Sequence, residues 1–300
     1  MRRNRVLVTS HGTRPEAFGL VEWGLLASAA GIWGASFFFI AESLEVFEPL
    51  FISWARVLLG AMALSLFPAS RIPVQREDRG RVATLAFIWM AFPLALFPIA
   101  QQWIDSSLAG MLNGAVPLFA GAFAALFLRR LPRHLQALGL VVGFAGVVLV
   151  ALPSTDGASA TALGIGLILV AVASYGLSIN LAVPLQQKYG ALPVINRAQW
   201  MAVLMLTPFG LWDLARSEWQ TSSALALVIL GVAGTGLAFV AMATLVGRAG
   251  ATRGSVAIYF VPIVAIVLGV VFRDESVAFL SLVGIALVLA GAWLSSRRER

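Results

Sequence analysis

Residues 259–291 read YFVPIVAIVLGVVFRDESVAFLSLVGIALVLAG, which is two apolar runs joined by the charged segment RDES. A membrane-spanning helix needs about 20 predominantly apolar residues, and a charged side chain is costly at the centre of a bilayer. Charges therefore mark the ends of spans. The stretch predicts two consecutive transmembrane helices with a short connection between them.

The composition of the whole chain agrees with that prediction. Hydrophobic residues make up 60% of the 300 residues and charged residues 12%, against about 45–50% and 25% in soluble domains, and the mean hydropathy is +0.90. Long apolar runs, rather than segments of alternating polarity, exclude an outer-membrane barrel. We predict an all-α polytopic membrane protein with ten transmembrane helices. Eight are placed at or near residues 23–41, 49–67, 82–104, 106–128, 134–155, 195–212, 254–272 and 276–296; the sixth lies with a loop inside the charge-free stretch 157–187, and the eighth lies inside 219–247.

An internal repeat relates these helices to one another. Residues 114–146 match 259–291 without a gap, and the first and sixth helices match likewise; the coincident pairs are Pro117 with Pro262, Phe127 with Phe272, Gly139 with Gly284, Gly146 with Gly291, and Trp33 with Tyr175. Each half then holds five helices, and because five is odd the second half enters the membrane from the opposite side. The prediction is a 5+5 inverted-topology repeat, which is typical of secondary transporters. It divides the chain into a basic tail at 1–17, repeats at 18–155 and 156–296, and a basic end at 297–300.

The basic residues predict the orientation, because Lys and Arg concentrate in cytoplasmic loops. Most of the 21 basic residues lie in the termini and in one set of loops, whereas the opposite loops hold only Arg216 and Arg273. Both termini are therefore expected in the cytoplasm. The basic residues are scattered over short segments, which favours anionic lipid headgroups as a partner and argues against nucleic acid.

The chain also resembles a known family. It shares a first helix reading GIWGASFFFI (31–40), Arg56 in the second helix, and Pro117 followed by FLRRLPRHLQALGLVVGFAGV (127–147) with its echo at 259–291. These features are similar to the EamA-type exporters of the drug/metabolite transporter superfamily. One departure is that the second repeat has Asp274 and Glu275 in its charged loop, where the first has Arg129 and Arg130.

The resemblance implies a multi-pass protein of the bacterial inner membrane. It implies export of amino acids, including aromatic and apolar ones, or of related small metabolites, by alternating access. Helices one to four and six to nine would surround a midplane cavity, with helices five and ten outside it. We expect a monomer, with a dimer as the alternative.

Six residues are candidates for substrate binding, because polar and aromatic groups near the midplane should line a cavity. The Arg56 guanidinium could bind a carboxylate bidentately, or it could bond helix-end carbonyls or extend to the membrane surface. Trp33 and Tyr175 could stack on a substrate side chain or simply pack in the core. Asn113, Gln199 and Tyr259 could line the cavity or bond a neighbouring helix.

Prolines and glycines predict features of helix geometry. Pro117 and Pro262 should bend cavity-lining helices, and the hypothesis is that they act as paired hinges, with a static bend as the alternative. The spacings of Gly110 with Gly114, and of Gly139 with Gly143, predict faces where helix backbones approach closely.

No catalytic residue is predicted. A membrane enzyme needs a nucleophile, a metal cluster or an acid/base pair. The two histidines lie outside the predicted membrane interior, His11 in the amino-terminal tail and His134 at a cytoplasmic helix start, and the sequence has no cysteine. We expect no enzyme activity, no metal and no cofactor. The lack of a central carboxylate favours facilitated efflux, with proton coupling through Glu22 as the alternative. A lipid or lipid-linked-sugar flippase and a non-transporting membrane enzyme or scaffold are the other function classes left open.

Overall fold

The computed structural model describes residues 19–128, 134–154, 159–249 and 256–296. Within these ranges the chain is helical and has no β-strand, which confirms the predicted all-α class. The predicted tails at 1–17 and 297–300, and the loop residues Arg129 and Arg130, lie outside the described residues.

The first half of the chain forms seven α-helical pieces within the described residues. They are α1 Leu20–Ser43, α2 Pro49–Ser65, α3 Arg79–Leu85, α4 Phe92–Ala100, α5 Ser106–Asn113, α6 Val116–Leu128 and α7 His134–Ala151. A π-helical segment, Ala86–Ala91, joins α3 to α4. A turn at Gly114 and Ala115 separates α5 from α6. Pro49 begins α2 in its first turn, where a missing N–H costs nothing.

The second half forms α8 Ser159–Tyr189, α9 Ala191–Leu214, α10 Thr221–Ile229, α11 Ala238–Ala249, α12 Val256–Arg273 and α13 Phe279–Ser296. A second π-helical segment, Leu230–Leu237, joins α10 to α11. Gly190 makes the sharp turn between α8 and α9 with a φ of 89°, a conformation that favours glycine.

Seven stretches of the described residues are long and apolar enough to cross a membrane, by length and composition. They are Leu20–Ser43, Arg76–Ala100, Ser106–Phe127, His134–Ala151, Thr161–Tyr189, Thr221–Arg248 and Val256–Arg273. Seven of the predicted spans therefore have a counterpart, with ends that differ by a few residues. The helix α2 and the segment Phe279–Leu294 are shorter apolar helices, and α9 carries Arg197 and Asp213 within its length.

The helices α2 and α9 pack against each other along their lengths. Side chains bond the two helices at both ends and in the middle: Leu50 N–H to Asp213 Oδ2 (2.9 Å), Trp54 Nε1 to Thr207 Oγ1 (3.1 Å), and Asn196 Nδ2 to Ser65 Oγ (2.9 Å). Residue numbers rise along α2 as they fall along α9, so the two helices are antiparallel.

The helices α7 and α13 form a second antiparallel pair, packed through glycines. Ser281 Oγ donates to Val150 O (3.1 Å), and a Cβ added at Gly146 would lie 2.6 Å from Gly284 O. A Cβ added at Gly291 would likewise collide with the backbone at Gly139 and Gly143. Gly110 likewise lies against Ala265, and Gly114 against Pro262. The predicted glycine packing faces are therefore confirmed.

The two predicted hinge prolines occupy different positions in their helices. Pro117 lies in the first turn of α6, directly after the break at Gly114 and Ala115, whereas Pro262 lies inside the continuous helix α12. The break packs on the proline of α12, since a Cβ at Gly114 would lie 2.9 Å from Pro262 Cγ. Pro262 therefore lies next to Gly114, three residues before Pro117.

Candidate functional site

Three of the predicted binding residues bond to the π-helical segment Leu230–Leu237. Trp33 Nε1 donates to Gly234 O (3.2 Å), Arg56 Nε donates to Thr235 Oγ1 (3.2 Å), and Gln199 Nε2 donates to Thr235 O (2.5 Å). These residues come from α1, α2 and α9. A π-helical turn displaces the regular backbone ladder, and such turns occur frequently at functional sites.

The segment, LGVAGTGL, can hold this position because its glycines allow close packing. A Cβ at Gly231 would lie 2.6 Å from Leu59 Cβ, and a Cβ at Gly234 would lie 2.8 Å from Ser36 Oγ. On the facing helix, a Cβ at Gly60 would lie 2.8 Å from Thr235 Cβ. The segment therefore fits between α1 and α2 without room for larger side chains.

The Arg56 side chain is buried at this segment, with 4% of its surface exposed. Thr235 accepts from its Nε, and the Tyr175 side chain lies near enough to interact with it electrostatically. Within the part of the chain that the structure describes, no carboxylate pairs with the guanidinium. Burying a charged guanidinium without a counter-ion costs free energy, and a bound anion would lower that cost.

Aromatic rings contact one another around two of the predicted binding residues, Trp33 and Tyr175. The Trp33 and Phe239 rings meet edge to face with centroids 5.5 Å apart, and Trp89 meets Phe239 in the same way at 5.8 Å. Tyr175 stacks on Phe97 with centroids 5.7 Å apart. Trp33 and Tyr175 thus lie in two separate sets of ring contacts, and both are only partly buried and pack against the larger core cluster.

Gln199 is fully buried, and its amide is half satisfied. Its Nε2 donates to Thr235 O, whereas its Oε1 has no hydrogen-bond partner among the described residues. A buried acceptor without a partner costs about 1–3 kcal/mol. The free oxygen lies on the residue that shares Thr235 with Arg56.

The other two predicted binding residues lie elsewhere. Asn113 is the last residue of α5 and is partly buried, and no described contact joins it to Arg56 or Thr235. Tyr259, on α12, packs against the larger core cluster. Thr235, Trp89, Phe97 and Phe239 were not predicted from the sequence. A threonine in the glycine-rich run 231–236 is the signal that could have indicated Thr235.

Charged residues cluster at the two ends of the bundle. At the end that we name the Arg273 end, Arg273 pairs with Glu42, and Glu275 accepts from Ser106 N–H (2.9 Å) and Ser107 N–H (2.8 Å). Burial, and secondarily the negative charge of Glu275, raise the pKa of Asp105 there. These contacts tie the end of α12 to the ends of α1 and α5.

At the opposite end, which we name the Lys188 end, ion pairs join the start of one helix to the end of another. Lys188 Nζ lies 2.8 Å from Asp78 Oδ2, and Arg248 Nη2 lies 2.7 Å from Glu22 Oε1. Glu22, the alternative proton-coupling residue, is therefore paired with an arginine in this structure.

A cavity of about 600 Å³ opens at the Arg273 end. Its lining includes Glu45, Glu48, Gln101, Arg216 and Arg273. Both amide atoms of Gln101 are buried there without a partner among the described residues. The cavity is polar, which suits an aqueous vestibule.

Comparison with known proteins shows the family of this chain. The EamA-like transporter family matches twice, at residues 22–152 and 162–297. The chain therefore belongs to the EamA-like transporter family, which confirms the resemblance found in its sequence. It is a membrane transporter of this family, and family membership implies a small-molecule substrate.

Several curated relatives are similar over nearly the whole chain. The uncharacterized transporter YdfC of Bacillus subtilis is 26% identical, covering 87% of this chain and 86% of its own. The probable terminal-alkyne amino-acid exporter of Streptantibioticus cattleyicolor is 25% identical, covering 92% and 93%. The uncharacterized inner membrane transporter YedA of Escherichia coli K12 is 24% identical, covering 89% and 88%.

One solved crystal structure of a protein superposes on this chain with a TM-score of 0.60. It covers 91% of this chain and 95% of its own, at 16% sequence identity. The likeness supports the fold alone.

Proposed function

We propose that this transporter exports amino acids, including aromatic and apolar ones, or related small carboxylates. The observation that carries the proposal is the buried Arg56, which has no carboxylate partner among the described residues and donates to the neutral Thr235. A guanidinium can bind a substrate carboxylate bidentately. The relative named as an amino-acid exporter supports the same substrate class.

The proposed binding site joins Arg56 with Trp33, Tyr175 and Gln199. Arg56 would bind the carboxylate, and the aromatic rings would form an adaptable apolar wall for the variable side chain. Asn113 and Tyr259 remain proposed lining residues of the pathway. Trp33 and Tyr175 are partly exposed in a region otherwise closely packed, so a substrate could contact their rings directly.

We propose ten membrane spans arranged as a 5+5 inverted-topology repeat. The helices α2, α9 and α13 would span the membrane together with the seven stretches identified above. Three observations support this: the family matches each half separately, the equivalent helices α2 and α9 are antiparallel, and the equivalent helices α7 and α13 are antiparallel. The π-helical segments also occupy equivalent places, before α4 in one half and before α11 in the other.

Transport would proceed by alternating access in the bacterial inner membrane, with both termini in the cytoplasm. The Lys188 end would then face the cytoplasm and the Arg273 end the opposite side. The chain has no cysteine, so a single introduced cysteine is the one thiol of the purified, labelled protein. Cysteines replacing Glu45 and Glu218 should react with an impermeant thiol reagent on intact cells, and cysteines replacing Arg76 and Lys188 should not.

Counterflow in proteoliposomes tests the proposed substrate class. Vesicles loaded with unlabelled Phe, Met or Thr should take up the same labelled compound faster than vesicles loaded with buffer. Trp33→Ala and Tyr175→Ala should weaken transport of Phe and Met more than transport of Thr, because the larger side chains lose more apolar contact. Equal losses for all three compounds would remove these rings from the site.

A further inference from the structure

The helices around Arg56 leave its charge unbalanced. Among the described residues of the packed helices, α2, α4, α8, α10 and α11 contain no acidic residue. The acidic residues of α1 are Glu22 and Glu42, near its two ends, and both pair with arginines. Asp213, the acidic residue of α9, accepts from Leu50 N–H near the Arg273 end. The described midplane region thus carries one positive charge and no negative one.

A zwitterionic substrate would leave this imbalance in place. Its carboxylate could pair with Arg56, but its ammonium would find only neutral acceptors nearby, such as Gln199 Oε1 and the faces of the aromatic rings. Burying a charged group with incomplete compensation is unfavourable, and the more so beside a like charge. A monoanion would instead neutralise the site and bring no second charge into it.

We infer that the preferred substrates are monoanions: aromatic or apolar carboxylic acids that lack a compensating ammonium, such as 2-oxo acids. The inference rests on the proposed function, uses the same site, and narrows the substrate class. Amino acids are then weaker substrates, because Arg56 binds their carboxylate but their ammonium has only a neutral acceptor, Gln199 Oε1.

This substrate class also provides a driving force. Each monoanion that leaves the cell moves one negative charge out of a negative interior, so the membrane potential favours its export. A potential of about 100 mV supports an accumulation ratio of about 50-fold for one charge. Export of this kind needs no protonatable residue at the midplane.

Purified protein in proteoliposomes tests the inference with two probes that share a side chain, Phe and its 2-oxo acid analogue phenylpyruvate. Phenylpyruvate should inhibit uptake of labelled Phe with an inhibition constant about 5-fold or more below that of Phe itself, because it avoids an unsatisfied charged group. Uptake of labelled phenylpyruvate should increase when valinomycin and a potassium gradient make the vesicle interior positive. Protein-free vesicles and vesicles with Arg56→Gln give the background.

Variants at Gln199 separate the two substrate types. Gln199→Leu should weaken Phe by about 5-fold more than it weakens phenylpyruvate, because the ammonium of Phe loses the Gln199 Oε1 acceptor. Asn196→Leu is the matched control, because Asn196 is also a buried amide on α9 but bonds Ser65 and Ala61; it should not change the ratio of the two constants. If Gln199→Leu does not fold, the ratio measured on the parent protein decides the inference.

The possible results point in different directions. If Phe is transported but phenylpyruvate neither competes with it nor is taken up in response to the potential, this inference is overturned and the proposed function stays intact. Failure of both probes, and of the Met and Thr panel, would overturn the proposed function as well. Stronger inhibition and potential-driven uptake by phenylpyruvate would support both.

Discussion

Glu275 should stabilise the Arg273 end of the bundle by capping α5. Its carboxylate accepts from Ser106 N–H (2.9 Å), Ser106 O–H (2.7 Å) and Ser107 N–H (2.8 Å), and the side chain is 7% exposed. Asp274 makes this reach possible, because its φ of 52° turns the chain back after α12. A Cβ at Gly269 would collide with the Glu275 carboxylate, so the glycine keeps its path clear.

Glu275→Gln keeps the shape of the side chain but replaces one acceptor oxygen with a donor that faces an N–H group. One charge-assisted bond is lost, worth about 1.5–3 kcal/mol, and the favourable charge at the helix N-terminus, worth about 0.3–1 kcal/mol, is lost with it. Together the two losses should lower the free energy of unfolding by about 2–4 kcal/mol. The melting temperature of purified protein in detergent should drop by several degrees.

The control is Glu45→Gln at the same end. The Glu45 side chain is 46% exposed and lies 3.4 Å from Arg273 Nη1, and an exposed ion pair contributes about 0–1 kcal/mol. Its melting temperature should stay close to that of the parent. Equal shifts for the two variants, or none for Glu275→Gln, would refute the capping argument.

Three further predictions concern other parts of the fold. The pKa of Asp105 is raised in the folded protein, so the free energy of unfolding falls as the pH rises from its unfolded pKa to its folded pKa. Asp105→Asn removes this cost and should raise the melting temperature at pH 7.5 but not near pH 4. The same gain at both pH values would contradict the direction of the pKa shift. Replacing Pro117 and Pro262 together with Ala should slow counterflow more than it weakens substrate binding, and an unchanged rate would leave the prolines as static bends. Gly146→Leu should destabilise the protein strongly, because a Cβ there already lies 2.6 Å from Gly284 O, whereas the same change at Gly24, with open space around it, should be tolerated when both variants are compared by size-exclusion chromatography.

The sequence predicted the helices well because apolar length and end charges are local signals. Spans such as 106–128 and 134–155 correspond closely to α5–α6 and α7. Glycine spacings also predicted the packing of Gly139 and Gly143, since a missing side chain on an apolar helix face has few other uses. The π-helical segments were not predicted, because they depend on tertiary packing; the segment Leu230–Leu237, for example, packs against α1 and α2.

The site was only partly predictable for the same reason. Arg56, Trp33, Tyr175 and Gln199 stand out as polar or aromatic residues near the centres of apolar helices, and the fold brings them to one region. Their common partner, Thr235, is an ordinary residue whose role comes from tertiary contact. Asn113 has the same signal in the sequence but no described contact with that cluster.

The charge of Arg56 is the most direct test of the account. In counterflow with a labelled carboxylate substrate from the panel above, Arg56→Gln should raise the half-saturation concentration by about 10- to 150-fold, because it removes a charged hydrogen bond worth about 1.5–3 kcal/mol. Arg197→Gln, which removes the other arginine within the α2 and α9 pair, should change it little. A half-saturation concentration that stays at the parental value in folded, monodisperse Arg56→Gln protein would contradict the claim that this guanidinium binds the substrate.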